Sequence, residues 1–176
     1  DLVAIGTVAD MVSLTDENRI FVKQGIELLN EDPRIGIKML LELSNITTNI
    51  DEQTIGFYIA PKLNSIGRMD SAKVGLSFLM AEDASVAKSL AEQIEEYNVQ
   101  RKEVTENIVK DVIETIENND IKNKSVIMVS GDYHEGVLGI VASNIVEKYQ
   151  RPVLIMNNKE GILKGSARSV FEFNIY

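Results

Sequence analysis

The sequence predicts a mixed α/β fold: a helical N-terminal part, one long helix, then a small β-α-β-β lobe. Three observations predict it. Residues 1–82 carry apolar positions at helical spacing between capping and turn residues. Residues 83–118 keep that spacing with no Gly or Pro to interrupt it. Beyond residue 120 the period changes to short apolar runs bounded by Gly, Asn and Asp. The expected organisation is a helical domain portion at 1–82, a connector helix at 83–120 and a small lobe at 121–176.

The elements follow in order. Leu2 to Val12 is apolar on nearly every side and rich in Ala4, Gly6 and Ala9, so a buried helix is expected. Ser13 or Thr15 can cap the next helix, with Asp16 and Glu17 favourable in its first turn, and Pro33 ends it. A short helix spans Ile35 to Leu43, and Asn45 to Asn49 is a polar loop. Asp51 starts a helix through Ile55, Phe57, Ile59 and Leu63, with a kink or break at Pro61. Ser65 to Asp70 reads as a turn, and Ser71 to Met80 as a helix. The 83–118 helix places Ala87, Leu90, Ile94, Tyr97, Val104, Ile108 and Val112 or Ile116 on one stripe and has a length on the order of 54 Å. Asn98 and Arg101 lie on or beside that stripe. Ser125 to Ser130 suits a buried strand, Gly136 to Tyr149 a helix, and Pro152 to Met156 a second strand parallel to the first. Asn157 to Gly161 is a turn, and Ile162 to Ser169 a third strand. The alternation of Phe171 to Tyr176 reads as a further strand cut short, and both ends read as cut from a longer chain.

Composition narrows the chemistry. Apolar residues make up 44% of 176, enough for a core. With no cysteine, disulfides, thiolate metal sites and cysteine nucleophiles are excluded, and a reducing, cytoplasmic setting fits. No apolar run approaches the roughly 20 residues that span a bilayer. The net charge of −9 argues against nucleic-acid binding when taken globally. The acidity is concentrated, however. Residues 82–120 hold eleven Asp/Glu against four Lys/Arg, whereas 145–176 hold five Lys/Arg against three Glu.

Four segments can carry chemistry. Asp10 sits in a segment expected to be buried, where a carboxylate needs an Arg, backbone N–H groups or a hard metal ion as partner. Arg68, in Asn64-Ser65-Ile66-Gly67-Arg68-Met69-Asp70, suits bidentate phosphate recognition, or pairs with Asp70 or Asp10 to hold a loop. His134 opens a helix after a strand, in Tyr133-His134-Glu135-Gly136-Val137-Leu138-Gly139; it can meet phosphate, act in acid–base chemistry, or cap the helix. As the sole histidine, with no cysteine beside it, it makes no zinc site. Ser166 and Arg168, in Lys164-Gly165-Ser166-Ala167-Arg168-Ser169, share one strand face beside a Gly that lets a ligand approach. They suit phosphate, or form an ordinary exposed face.

Taken together, these segments resemble the RecJ exonuclease family of the DHH phosphoesterase superfamily. The resemblance rests on Gly6-Thr7-Val8-Ala9-Asp10, then Ala60-Pro61-Lys62-Leu63-Asn64 running on to Gly67-Arg68-Met69-Asp70, then Asn98 and Arg101 on the long helix. Tyr133-His134 leading into Gly136-Val137-Leu138-Gly139-Ile140-Val141-Ala142, Arg151-Pro152, and Gly165-Ser166-Ala167-Arg168-Ser169 complete it. Tyr133 stands where many members have Trp.

The resemblance implies a fold: the helical end of a DHH-type catalytic domain, a long connector helix, and the start of a DHH-associated domain. It implies metal-assisted 5′→3′ hydrolysis of single-stranded DNA with Mn²⁺ or Mg²⁺, in repair and recombination. A single-strand-binding protein or a helicase is an implied partner. Asp10 matches the last metal ligand; Arg68, Ser166 and Arg168 match a 5′-phosphate pocket; Asn64 and His134 join the substrate-binding set. The Asp-x-Asp, Asp-His-His and Gly-Gly-His motifs of the family are absent, so the piece alone is expected to be inactive. Competing readings are a short-RNA or cyclic-dinucleotide phosphodiesterase, a non-catalytic DNA-binding relative, and a structural two-lobe module.

Overall fold

The computed structural model describes residues 1–175. The chain divides into two compact units, Asp1–Val99 and Gln100–Tyr176.

The first unit is helical: α1 (Leu2–Ala9), α2 (Asp16–Glu31), α3 (Ile35–Leu43), the single turn α4 (Glu52–Thr54), α5 (Ala60–Met69), α6 (Ala72–Leu79) and the first part of α7 (Ala84–Asn118). Its core gathers Ile5, Leu29, Ile37, Leu40, Ile55, Ile59, Ile66, Phe78 and Ile94. Short polar side chains set the helix starts. Asp51 accepts from the Thr54 N–H and hydroxyl, Ser71 from the Lys73 N–H, and Asp83 from the Ser85 and Val86 N–H groups at the head of α7. Thr15 stands at the start of α2 without a side-chain cap bond, and Asp16 and Glu17 supply the favourable charge there.

Three expectations for this unit are corrected. Helix α1 is not wrapped in apolar contacts: Ala4 and Ile5 are buried, while Val3 is 60% and Met11 90% exposed. Small residues do let helices meet, because Gly25 of α2 lies so close to α1 that an added Cβ would fall 2.4 Å from that of Ala4. The turn read at Ser65 to Asp70 is helix through Met69. Pro61 does not break the chain's helical path. Residues Ile55–Ile59 widen to a π-helix, with the Ala60 N–H donating to the Ile55 carbonyl. Proline cannot donate, and its ring crowds the carbonyl four residues back, so a wider turn just ahead accommodates it.

The second unit holds the rest of α7, strand β1 (Ile127–Gly131), α8 (Leu138–Tyr149), β2 (Val153–Lys159) and β3 (Ile162–Arg168). The strand order is β1-β2-β3, with β1 and β2 parallel and β2 and β3 antiparallel, as the β-α-β-β pattern predicts. Its core comprises Ile108, Val112 and Ile116 of α7 with Ile127, Val129, Val141, Ile145, Val153 and Ile155. The expected turn at Asn157 to Gly161 is shorter. Asn157, Asn158 and Lys159 are strand, and Glu160 (φ 54°) and Gly161 (φ 79°) alone reverse the chain. Paired positive φ values are the hairpin geometry that matches strand twist. The strand expected at 171–176 does not form: residues 169–175 are turn and irregular chain, and Tyr176 lies outside the described residues. Among the described residues, no helix is long and apolar enough to cross a membrane.

Candidate functional site

In the second unit, the first turn of α8 meets β3. A side chain at Gly139 would begin 3.3 Å from Ser166 Oγ and 3.4 Å from Arg168 Nη2. Ser166 pairs with Ile155 and Arg168 with Val153 across the hairpin, so the alternation of β3 turns both toward that helix start. Arg168 remains exposed, with Nη1 donating to the Ala167 carbonyl at 3.1 Å. A hydroxyl and a guanidinium therefore converge beside the helix start, side-chain donors suited to phosphate oxygens.

His134 holds the approach to that helix. Its Nδ1 accepts from the Gly136 N–H at 3.2 Å, capping a 3-10 turn over Glu135–Val137 that leads into α8. Of the three roles open to it in the sequence, the structure shows the capping one. Tyr133 is 8% exposed, its ring covering Gly131, where an added Cβ would come within 2.5 Å of it. Its hydroxyl donates to Asp111 Oδ2 at 2.6 Å.

Burial first, and then the Asp111 carboxylate, push the Tyr133 phenol far above its ordinary value of 10.0. The contribution to stability is complete below pH 10 and is lost as pH rises through the raised value. In an alkaline titration followed by phenolate absorbance, subtracting Tyr133→Phe from wild type should show no Tyr133 ionisation below pH 10. Ionisation at its ordinary value would show that the phenol is solvated.

Gly165 has a different reason from the one expected. An added Cβ there would lie 2.6 Å from both the Ile155 carbonyl and Met156 Cγ, so the glycine serves strand-to-strand approach rather than a ligand.

In the first unit, Asn64 and Arg68 stand one turn apart on α5, Asn64 exposed and Arg68 partly so. Asp10 caps the C-terminal end of α1, its backbone N–H donating to the Gly6 carbonyl while the Met11 N–H donates to that of Val8. It is exposed, which corrects the expectation of a buried carboxylate: the apolar stretch around it is itself open to solvent. Asp70 accepts the Tyr97 hydroxyl proton and the Ser71 N–H, which hold its carboxyl below the usual range. The candidate residues thus fall into two sets, one in each compact unit.

Sequence reasoning missed four partners. Lys62 and Glu95 pair inside the first unit. Asp111 receives Tyr133, and buried Asn157 accepts the Tyr133 N–H at 3.3 Å while donating to Glu135. Of these, Lys62 entered the sequence reading only as a member of Ala60-Pro61-Lys62-Leu63-Asn64, with no role assigned.

No family model matches the chain. It is 37% identical over 179 residues to the single-stranded-DNA-specific exonuclease RecJ of Bacillus subtilis strain 168, covering 100% of this chain and 23% of that protein. Its identity to the RecJ of Haemophilus influenzae is 39%, over 97% of this chain and 31% of that protein. The chain thus spans less than a third of the length of these relatives. The fold agrees with a crystal structure of exonuclease RecJ bound to manganese, at a TM-score of 0.84 and 29% identity, over 99% of this chain and 43% of that one. Over its whole length the chain matches a part of RecJ. A second RecJ structure, from Thermus thermophilus in complex with Mg²⁺, matches at a TM-score of 0.80 and 28% identity, over 95% of this chain and 26% of that one.

The RecJ structures hold manganese or magnesium, which raises the question of a metal site in this chain. Among the described residues no group of three or more His, Cys, Asp or Glu is arranged to hold a metal ion. Asp10 offers one carboxylate, and a hard divalent cation takes about six ligands. The described residues by themselves do not fit a metal centre.

Proposed function

We propose that the full-length protein is a metal-dependent exonuclease that degrades single-stranded DNA from its 5′ end, in repair and recombination, and that this chain supplies its phosphate-anchoring elements. The convergence of Ser166, Arg168 and the first turn of α8 carries the reading, in a chain whose relatives are named single-stranded-DNA-specific exonucleases. Arg168 grips the terminal phosphate through two N–H groups, and Ser166 donates its hydroxyl. His134 keeps the 3-10 turn ahead of α8 in place rather than touching the reacting atoms. In the first unit, Asn64 and Arg68 of α5 offer donors to the DNA. Asp10 supplies one carboxylate to a Mn²⁺ or Mg²⁺ site completed by residues outside this chain, so the chain alone is inactive.

The test uses full-length protein, Mn²⁺ and single-stranded DNA labelled at its 3′ end, with 5′-phosphate or 5′-hydroxyl termini. Wild type should prefer the phosphate. Arg168→Ala should lose roughly ten- to a hundredfold on the phosphorylated substrate, the scale of a hydrogen-bonded ion contact, and little on the hydroxyl one. Equal losses on both substrates would remove Arg168 from the terminal-phosphate pocket. An inactive wild type would sink the exonuclease reading.

A further inference from the structure

Among the described residues, Lys62 is the only charged side chain in the buried set, at 8% exposure. Its Nζ pairs with Glu95 Oε2 of α7 and donates to Ser44 Oγ, at the end of α3, at 2.7 Å. Ser44 in turn donates to the Leu40 carbonyl at 2.6 Å. The other Glu95 oxygen takes a long bond of 3.5 Å from Asn98 Nδ2, itself 3% exposed. All of these groups belong to the unit Asp1–Val99.

An ammonium is costly to bury without partners, and an apolar side chain would fill the same space. What the apolar residue lacks is direction. It would tolerate a range of rotations of α5 about its axis, whereas the lysine satisfies Glu95 and Ser44 together over a narrow one. The inward face of α5 is Lys62, Ser65 and Ile66; Asn64 and Gly67 face outward, with Arg68 one turn beyond Asn64. Successive residues are offset by about 100°, so a small roll of α5 moves both candidate phosphate donors.

We infer that Lys62 is a positioning residue: its bonds to Glu95 and Ser44 fix the roll of α5 and so set the heading of Asn64 and Arg68 as donors to a DNA phosphate. What the two donors meet rests on the proposed function; the fixing of α5 does not.

The experiment compares full-length wild type, Lys62→Met, Lys62→Arg, Arg68→Ala and the Lys62→Met/Arg68→Ala double variant. The Glu95 side chain is 37% exposed but its Oε2 is buried, so Lys62→Met leaves that oxygen without its partner, and Lys62→Arg and the exchange measurement separate a change of aim from a loss of fold. It should raise KM for 5′-phosphorylated single-stranded DNA roughly ten- to a hundredfold, as misplacement from a distance does, with kcat held, and Lys62→Arg should restore it. Residues acting through one another are non-additive, so the double variant should be no worse than Arg68→Ala. Amide hydrogen exchange should lose protection in α5 of Lys62→Met and regain it in Lys62→Arg.

Unchanged KM, additive losses, or a fall in activity that only tracks loss of folded protein would overturn the inference. If wild type shows no nuclease activity, the functional reading fails, and exchange in α5 still decides the role of Lys62. Protection equal to wild type there refutes it.

Discussion

Replacing Asp10 with alanine in the full-length protein should lower Mn²⁺-dependent digestion of single-stranded DNA by at least about a hundredfold, the upper range already seen for partners one shell farther from a metal. Folding should be untouched or slightly firmer. Asp10 is exposed and caps the C-terminal end of α1, where the negative end of the helix dipole opposes a carboxylate. A residue placed against local stability in an open position is consistent with a role in chemistry. Exposed substitutions away from special features stay within about 0.5 kcal/mol, so activity and stability separate cleanly here. Digestion assays and urea denaturation of the same preparations make the comparison. Full activity in Asp10→Ala would take Asp10 out of the metal site and leave this chain with substrate contacts alone.

The largest stability effect is expected from Phe78→Ala, at about 3–5 kcal/mol. Phe78 is 0% exposed and sits among the isoleucines and leucines of the first core. Its ring lies over Gly36 of α3, where an added Cβ would come within 3.0 Å of Cε2 and 2.6 Å of the Phe78 carbonyl. The carbonyl contact means that a methyl at Gly36 cannot refill the space left by the ring, because backbone is in the way. Gly36→Ala should therefore destabilise by itself, by about 1–3 kcal/mol, and should not rescue Phe78→Ala. Urea denaturation followed by far-ultraviolet circular dichroism measures both. A Phe78→Ala loss below about 1 kcal/mol would mean that the surrounding helices close over the cavity.

Where spacing and chemistry agree, the sequence carries the fold. The period change after residue 120, the uninterrupted run of α7 and the helix starts at Asp51 and Ser71 were all readable, because each depends on neighbours in the chain. Misreadings arose where a distant partner decides. Gly67 suggested a turn, yet Ile66 is buried and α5 continues through Met69, so tertiary packing overrides the glycine. Leu2 to Val12 suggested burial from composition, but nothing in the described chain covers Val3 or Met11. At the site, the meeting of Ser166 and Arg168 with Gly139 joins residues far apart in sequence; alternation gave the shared face of the first two but not the helix opposite. The role of Lys62 was not legible, since its partners Ser44 and Glu95 lie on other elements.

The π-helical stretch at Ile55–Ile59 acts as one surplus residue wound into a helix. Its consequence is phase. Every position from Ala60 to Met69 is turned relative to what a regular α-helix starting at Asp51 would give. Removing one residue from 55–59 would leave a respectable helix but shift the following face by about 100°. Lys62, Ser65 and Ile66 would swing away from the interior, and the spacing of Asn64 and Arg68 would survive while their heading would not. Insertions and deletions in this stretch are therefore not neutral changes of length, and an alignment gap placed inside it would record a rotated surface.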